Sequence, residues 1–220
     1  EINEIKTIIF SSSAAIYGEQ KIQPINEEAQ TKPVSNYALT KLESEKHIKN
    51  YASNGIINAI SLRYFNPVAS HEDYVIHEDY TKSNNLMSVI LQAANKKIDV
   101  LKIYGNDYLT KDGTAERDFI HISDLIDGHF CALDKIGKLE NYTEINLGTG
   151  VSISVLEMVK AFKKANNLEF KVDFCARRKG DVSINYAKVD KAREVLGWQS
   201  SHNLEKMCKD AWEAIQNDCK

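Results

Sequence analysis

Tyr37 and Lys41 stand four residues apart in the run SNYALTK at 35–41. On a helix that spacing puts a phenol and an ammonium on one face, about one turn apart. A free phenol ionises near pH ~10, too high for a base at neutral pH. A neighbouring cation favours the phenolate, which makes a usable general base. The plain alternative is two polar side chains on a solvated helix face. A second group lies upstream, where Ser11-Ser12-Ser13 closes an apolar run that starts at Lys6. In open α/β sheets, ligands gather outside the carboxyl ends of the strands. A hydroxyl there could share a proton with the same oxygen that Tyr37 serves; otherwise it is a polar strand exit.

Periodicity supplies the elements that would hold these groups. Lys6–Ser12 reads as a fully buried strand. Residues 11–36 are polar and irregular, with Pro24 and Pro33. A helix is predicted from about Ser35 to Ser53, capped by Ser35 or Asn36 and closed by Gly55. Ile56–Phe65 reads as a second buried strand, ended by Pro67 before a long loop at 71–83. Helical spacing returns at Leu86, Val89, Ile90, Ala93 and Ala94. Strands are predicted at Val100–Tyr104, Arg117–Ile122, Tyr142–Leu147 and Phe170–Cys175. Helices are predicted after a Ser123 cap to about Ile136, after a Ser152 cap over Val155–Ala165, and at 189–196 and 204–217. This alternation implies an α/β fold with a parallel sheet. The few residues before Lys6 cannot supply neighbours for the first strand. The expectation is therefore the C-terminal part of a longer chain, or a chain that begins at a processing site.

Composition bounds the function. The chain has 220 residues, 43% hydrophobic and 27% charged, enough for a packed core and against intrinsic disorder. Lys and Arg total 28 against 31 Asp and Glu, a net charge of −3, which gives no footing for nucleic acid as a partner. No run approaches ~18 apolar residues, so neither a membrane span nor a secretory signal is expected. Cys131, Cys175, Cys208 and Cys219 are scattered without a CxxC pair, which suits a reducing cytoplasm better than zinc or disulfides. His71, Asp73, His77 and Asp79 fit no standard metal site, and no metal is expected. Gly148-Thr149-Gly150 has Ile153 where a dinucleotide-binding turn has its third glycine. A tight strand-to-helix turn explains it better than a phosphate site. His121 and Cys131 read as core residues.

Seven motifs occur in order: SSSAAIYG (11–18), NYALTK (36–41), LRYFNP (62–67), NNLM (84–87), a long block at 104–125 containing YGNDY and RDFIHI, NLGTG (146–150) and RRKGD (177–181). Together they resemble the extended short-chain dehydrogenase/reductase family and, within it, the UDP-glucose 4-epimerases, from Lys6 to about Trp212. The resemblance implies a Rossmann-type doubly wound parallel sheet plus a smaller α/β substrate domain. Residues 1–66 would form the C-terminal half of the NAD-binding domain. Residues 67–220 would mainly bind UDP-sugar, with strand 142–147 returning to the main sheet. The family's glycine-rich pyrophosphate turn would lie roughly a hundred residues upstream, three βα units away. NPVAS at 66–70 departs from the family's NPTGA.

Carried over motif by motif, the resemblance implies Tyr37 as general base and Ser13 hydrogen-bonded to the same sugar oxygen. Lys41 would lower the Tyr37 pKa and hold the nicotinamide ribose. NAD is the implied cofactor, touching Ser13, Tyr37, Lys41 and Phe65. A UDP-hexose is the implied substrate, touching Ser13 and Tyr37 at its sugar. Arg117 and Arg178 would clamp the pyrophosphate, and Asp181 would accept from the ribose. Asn66, Asn85 and Leu86 would contact sugar and phosphate, and the backbone around Lys102, Ile103 and Tyr104 would read uracil. Asn185 would stand beside the sugar's C2 substituent, or else face solvent in a loop. The implied activity is interconversion of UDP-glucose and UDP-galactose through transient oxidation at C4, in galactose metabolism, by a homodimer. The implied interface runs along the helix of Tyr37, although Leu42 and Ile48 could as easily face the core. Related dehydratases carry an acidic pair where this chain has Ala14 and Ala15, which removes that reaction. The alternatives are a 4-epimerase of UDP-N-acetylhexosamines or UDP-uronates, and a non-catalytic dinucleotide-fold binding protein. The last has no need of Ser13, Tyr37 and Lys41 together.

Overall fold

A computed structural model describes residues 5–71, 73, 78–139 and 141–217. In chain order the elements are β1 (Thr7–Ser13), a 3-10 turn (Ala14–Tyr17), α1 (Asn36–Ser53), β2 (Asn58–Tyr64), β3 (Asn66–Val68), α2 (Leu86–Ala94), β4 (Val100–Tyr104), β5 (Glu116–Arg117), β6 (Phe119–His121), α3 (Ile122–Lys135), β7 (Tyr142–Leu147), β8 (Ile153–Ser154), α4 (Val155–Asn166), β9 (Lys171–Cys175), β10 (Ile184–Asn185), a π-type turn (Ala192–Leu196) and α5 (Leu204–Asn217). The fold is α/β with parallel sheets of the Rossmann type. No helix among the described residues is long and apolar enough to cross a membrane.

The main sheet runs β1-β2-β7, all parallel, with Ser13 opposite Tyr64 and Tyr64 opposite Leu147. Neighbouring residues of a strand point to opposite faces. Arg63 reaches Glu45 on α1 and Tyr64 reaches His129 on α3, so the two helices cover opposite faces of the sheet. Central β2 is buried from Ala59 to Arg63. β1, predicted to be fully buried, is not: Ile8, Ile9 and Phe10 are half-buried and Thr7 is exposed. Among the described residues β1 pairs on one side only, and an apolar run does not record how many neighbours a strand has.

Capping details differ from expectation in two places. Ser35 caps α1 as expected, its Oγ accepting from Ala38 N at 3.1 Å. α3 is capped by His121, whose Nδ1 accepts from Ser123 N at 3.0 Å, so Ser123 lies inside the first turn. α4 is capped by Ser154 rather than Ser152, because Glu157 stands three residues on and completes a capping box. Ser152 instead donates to Glu116 Oε2. The predicted strand at 117–122 is split at Asp118. β5 pairs with β8 and β10, whereas β6 pairs with β3. The helix expected at 189–196 shrinks to the π-type turn, stopped by Gly197 at φ 70°.

A second core packs α2, α4 and α5 around β4 and β6 through Ile90, Leu101, Ile103, Phe119, Phe162 and Met207. Between sheet and site lies a buried polar network. Arg63 grips Glu45 bidentately at 3.0 and 2.7 Å, and its Nη1 donates to Tyr17 Oη and to Glu27 O, each at 2.9 Å. Tyr17 in turn donates to Asn146 Oδ1 at 2.7 Å. The network joins the 3-10 turn, α1, β2 and β7, the segments that place Ser13 and Tyr37. Glu45→Ala strands a buried guanidinium and is expected to cost about 3–5 kcal/mol in urea denaturation. A loss below about 1 kcal/mol would mean that the pair does not hold these segments.

Candidate active site

β1 delivers its serine run to the carboxyl edge of the sheet. Ser13 keeps extended backbone, and its Oγ accepts from Ala15 N at 3.2 Å, which starts the 3-10 turn. Among the described residues the hydroxyl hydrogen has no acceptor, which leaves it for a ligand oxygen. Tyr37 lies in the first turn of α1 and is 56% exposed. Lys41 follows one turn later. Its Nζ donates to Ser11 O at 2.8 Å and stands 5.7 Å from the centre of the Tyr37 ring. The pair therefore meets the strand end, bound to it by an ammonium–carbonyl contact. Tyr64 lies beneath: burial pushes its phenol up, the Ser11 hydroxyl pulls it down, and Tyr37 is near enough to raise it.

Two adjoining cavities open beside these groups. The smaller, of about 200 Å³, is lined by Ser13, Ala14, Ala15, Asn66, Arg117 and Asn185, among others. The larger, of about 920 Å³, receives Asn85, Leu86, Lys102, Ile103, Tyr104 and Arg178. Phe65, Asn66, Arg117 and Asp181 line both, so the two form one cleft. Tyr37 and Lys41 line neither cavity, but Val34 and Ser35, which lead into α1, line the smaller one.

Arg117 is partly buried, and its Nη1 donates to Glu116 O at 2.8 Å. Burial pulls its pKa down and the Asp181 charge pushes it back up. A desolvated guanidinium with donors to spare suits an anion. Arg178 lies over the Tyr104 ring, 3.8 Å from its centre, and the 178–181 turn closes through Asp181 N to Arg178 O. Along β4, Ile103 is buried in the core while Lys102 is exposed, and both line the larger cavity. Asn85 spends its side chain locally: Oδ1 accepts from Ser88 N and caps α2, and Nδ2 donates to Glu78 Oε2 at 2.6 Å. Asn185 is 8% exposed and lies opposite Arg117 in the β10–β5 ladder, not in a solvent-facing loop.

Two further residues shape the site without a sequence signal pointing to them. Glu78, in the long loop, lines the larger cavity beside Asn85. Asp118 is fully buried and binds the Gly148–Gly150 turn. Its carboxylate accepts from Thr149 N and Oγ1, Gly150 N and Ala187 N, at 2.6–3.1 Å. A Cβ on Gly148 would come 2.5 Å from Asp118 Oδ2. The turn thus holds an internal carboxylate where a dinucleotide turn would hold phosphate.

The remaining candidates lie elsewhere. His121 is buried, bound to Asp210 at 3.1 Å and stacked on His202 at 4.2 Å. Cys131 packs half-buried against the core under α3. His71 pairs with Asp73 at 3.3 Å, and His77 lies outside the described residues. Leu42 packs against the small core beneath the site, with Ala14 and Phe65. For NAD, an exposed phenol, an ammonium and Phe65 at the carboxyl edge of the sheet fit the nicotinamide end. The Asp118-filled turn does not fit a pyrophosphate.

Residues 1–148 match the family described as NAD dependent epimerase/dehydratase family. The UDP-glucose 4-epimerase of Dictyostelium discoideum is 44% identical over 214 residues, 96% of this chain and 62% of the relative. The chain thus spans about three fifths of that relative's length. Among solved structures, the UDP-glucose 4-epimerase of Stenotrophomonas maltophila, with bound NAD and formylated UDP-arabinopyranose, superposes with a TM-score of 0.94 at 35% identity, covering 97% of this chain and 64% of its own. The UDP-Glc/GlcNAc 4-epimerase of Campylobacter jejuni gives 0.79 at 36% identity, covering 96% and 65%. With the family model matching residues 1–148 of its 220, the chain belongs to the NAD dependent epimerase/dehydratase family.

Proposed function

We propose that this chain is the catalytic and substrate-binding portion of an NAD-dependent 4-epimerase that interconverts UDP-glucose and UDP-galactose. The observation that carries this reading is the joined cleft. One end offers the Ser13 hydroxyl beside the start of α1, and the other offers Arg117, Arg178 and Asp181. Residues 1–66 with strand 142–147 would serve the cofactor side, and the rest the nucleotide sugar.

When bound, NAD supplies a hydride acceptor at the sugar's C4 and gives the hydride back. Tyr37 takes the 4-hydroxyl proton on Oη and returns it. Ser13 donates its hydroxyl hydrogen to the same oxygen, while one of its lone pairs is held by Ala15 N. Lys41, anchored to Ser11 O, meets the charge that develops on Tyr37 and is placed to hold the nicotinamide ribose. Phe65 lines the nicotinamide side. Ala14 and Ala15 present only methyl groups where related dehydratases carry an acidic pair, so that pair is not there to expel water. Arg117 and Arg178 clamp the diphosphate, and Asp181 accepts from the ribose. Asn66, Asn85 and Leu86 contact sugar and phosphate, and the β4 backbone at Lys102–Tyr104 reads uracil.

Exposed Leu39 and Tyr51 along α1 support a homodimer through that helix. The free cysteines Cys131, Cys175 and Cys208 support a cytoplasmic location, and the substrate pair itself would place the reaction in galactose metabolism. Asn185 at the sugar end supports a second, broader reading, in which N-acetylated UDP-hexoses are also substrates, as the name of the Campylobacter jejuni relative states for that enzyme.

Supplied with UDP-galactose, the full-length protein should form UDP-glucose without an added oxidant. A folded, NAD-bound protein that forms none overturns the reading. On the 220-residue chain, Arg117→Ala should weaken UDP binding by about tenfold or more in titration calorimetry, since a charge-assisted contact is worth about 1.5–3 kcal/mol. Unchanged affinity would remove Arg117 from the diphosphate site.

A further inference from the structure

We propose that Glu78 is a positioning residue of the cleft: it accepts one hydrogen of the Asn85 side-chain amide and so aims the other at a phosphate oxygen of the nucleotide. This rests on the reading of Asn85 as a contact to the substrate. Asn85 Oδ1 accepts from Ser88 N at 2.8 Å, and its Nδ2 donates to Glu78 Oε2 at 2.6 Å. A backbone N–H only donates and a carboxylate only accepts, so the amide cannot flip between these two partners. An amide nitrogen carries two hydrogens, and Glu78 takes one of them. Asn85 and Glu78 both line the larger cavity. The second hydrogen is therefore the donor that Asn85 has left for the cleft, and a phosphate oxygen is an acceptor.

Glu78 is itself held from the helix. The hydroxyl of Ser88, buried in the first turn of α2, donates to the same Oε2 at 3.1 Å. The loop does not need Glu78 to stay in place. Gln92 Nε2 donates to Tyr80 O at 2.6 Å and to Ser83 O at 3.1 Å, and Asn95 Nδ2 donates to Tyr80 Oη at 2.6 Å. Three bonds from the far side of α2 thus anchor residues 80–83, whereas the orientation of the Asn85 amide depends on Glu78 and on the helix cap.

The sign of the effect separates positioning from charge. A carboxylate in a cleft that receives a diphosphate repels it, so a Glu78 acting by charge alone would weaken UDP binding, and its removal would tighten it. A Glu78 that orients Asn85 does the reverse: its removal frees the amide to rotate, and binding weakens.

The test titrates UDP and uridine into the 220-residue chain and its variants Glu78→Ala, Glu78→Gln, Asn85→Ala and the double variant Glu78→Ala/Asn85→Ala, with Tm measured alongside. Glu78→Ala should weaken UDP about 3- to 10-fold, the loss of one hydrogen bond, and leave uridine within about twofold. Glu78→Gln keeps an acceptor and should lose less than Glu78→Ala. The double variant should lose no more than Asn85→Ala alone, because the two residues act through one contact. UDP bound as tightly or more tightly by Glu78→Ala overturns the inference. So do equal losses for UDP and uridine with a lowered Tm, equal losses in the Gln and Ala variants, and a double variant that loses the sum of the two single losses. If the wild type binds UDP no better than uridine, or Asn85→Ala leaves UDP affinity unchanged, the reading of the cleft at Asn85 falls and this inference with it. If Asn85→Ala weakens UDP and Glu78→Ala does not, only the inference falls.

Discussion

Tyr37→Phe in the full-length protein should lower kcat by about 100-fold or more, the usual loss when a general base is removed. UDP affinity should stay within about twofold of wild type. The phenol stands at the start of α1, 56% exposed, and its hydroxyl makes no hydrogen bond among the described residues. Phe therefore removes the base without removing a structural contact. The residues assigned to the nucleotide lie on other segments, from Asn66 to Asp181. Ser13→Ala should cost less than Tyr37→Phe, because it deletes one hydrogen bond to the reacting oxygen rather than the proton acceptor. Lys41→Met should be harsher than a simple charge deletion, since it also cuts the tie from α1 to Ser11 O. Single-turnover rates and UDP titrations on the same preparations separate these effects. A Phe variant that turns over within a few-fold of wild type would remove Tyr37 from the role of base.

What could be read in the chain beforehand followed from local physics. Ser35 announces α1 because a hydroxyl one residue before a helical run satisfies its orphan amides. The apolar run at 59–62 announces a central strand, and β2 is buried there. The basic and acidic cleft residues were legible only because their motifs resemble a family; no spacing in the chain says that Arg117 and Asp181 share a cavity. The burial of Asn185 was equally hidden. It depends on β10, two residues long, finding β5 some 68 positions earlier in the chain. Asp118 shows the same limit from another side. An aspartate inside an apolar block reads as an interruption, and its four donors come from residues 149, 150 and 187. The cap by His121 was missed because serine is the commoner cap, and a ring nitrogen can accept just as well.

Asn185→Tyr should separate the two substrate classes. Asn185 lines the smaller cavity with Ser13 and Asn66, at the end assigned to the sugar. The β10–β5 ladder sets it opposite Arg117 and keeps it buried, so the side chain has little freedom to leave. Its amide can donate and accept, and so can meet an acetamide at the sugar's C2. The wild-type full-length enzyme should therefore interconvert UDP-GlcNAc and UDP-GalNAc as well as the glucose pair. A phenol ring in a cavity of about 200 Å³ would occupy the acetamide's space while sparing a C2 hydroxyl. The variant should lose about 100-fold in kcat/KM for the N-acetyl pair, the scale on which a pocket rejects a substrate by volume. The glucose pair should change by less than about threefold. Asn185→Ala keeps the space and removes the amide, so it distinguishes volume from hydrogen bonding: it should retain N-acetyl turnover with a higher KM. Discrimination here is built by exclusion, which is why a single enlargement is enough to create it. Equal losses for both pairs in Asn185→Tyr would mean that the ring disturbs Arg117 or the strand itself. No N-acetyl turnover by the wild type would mean that another side chain already fills the space beside C2.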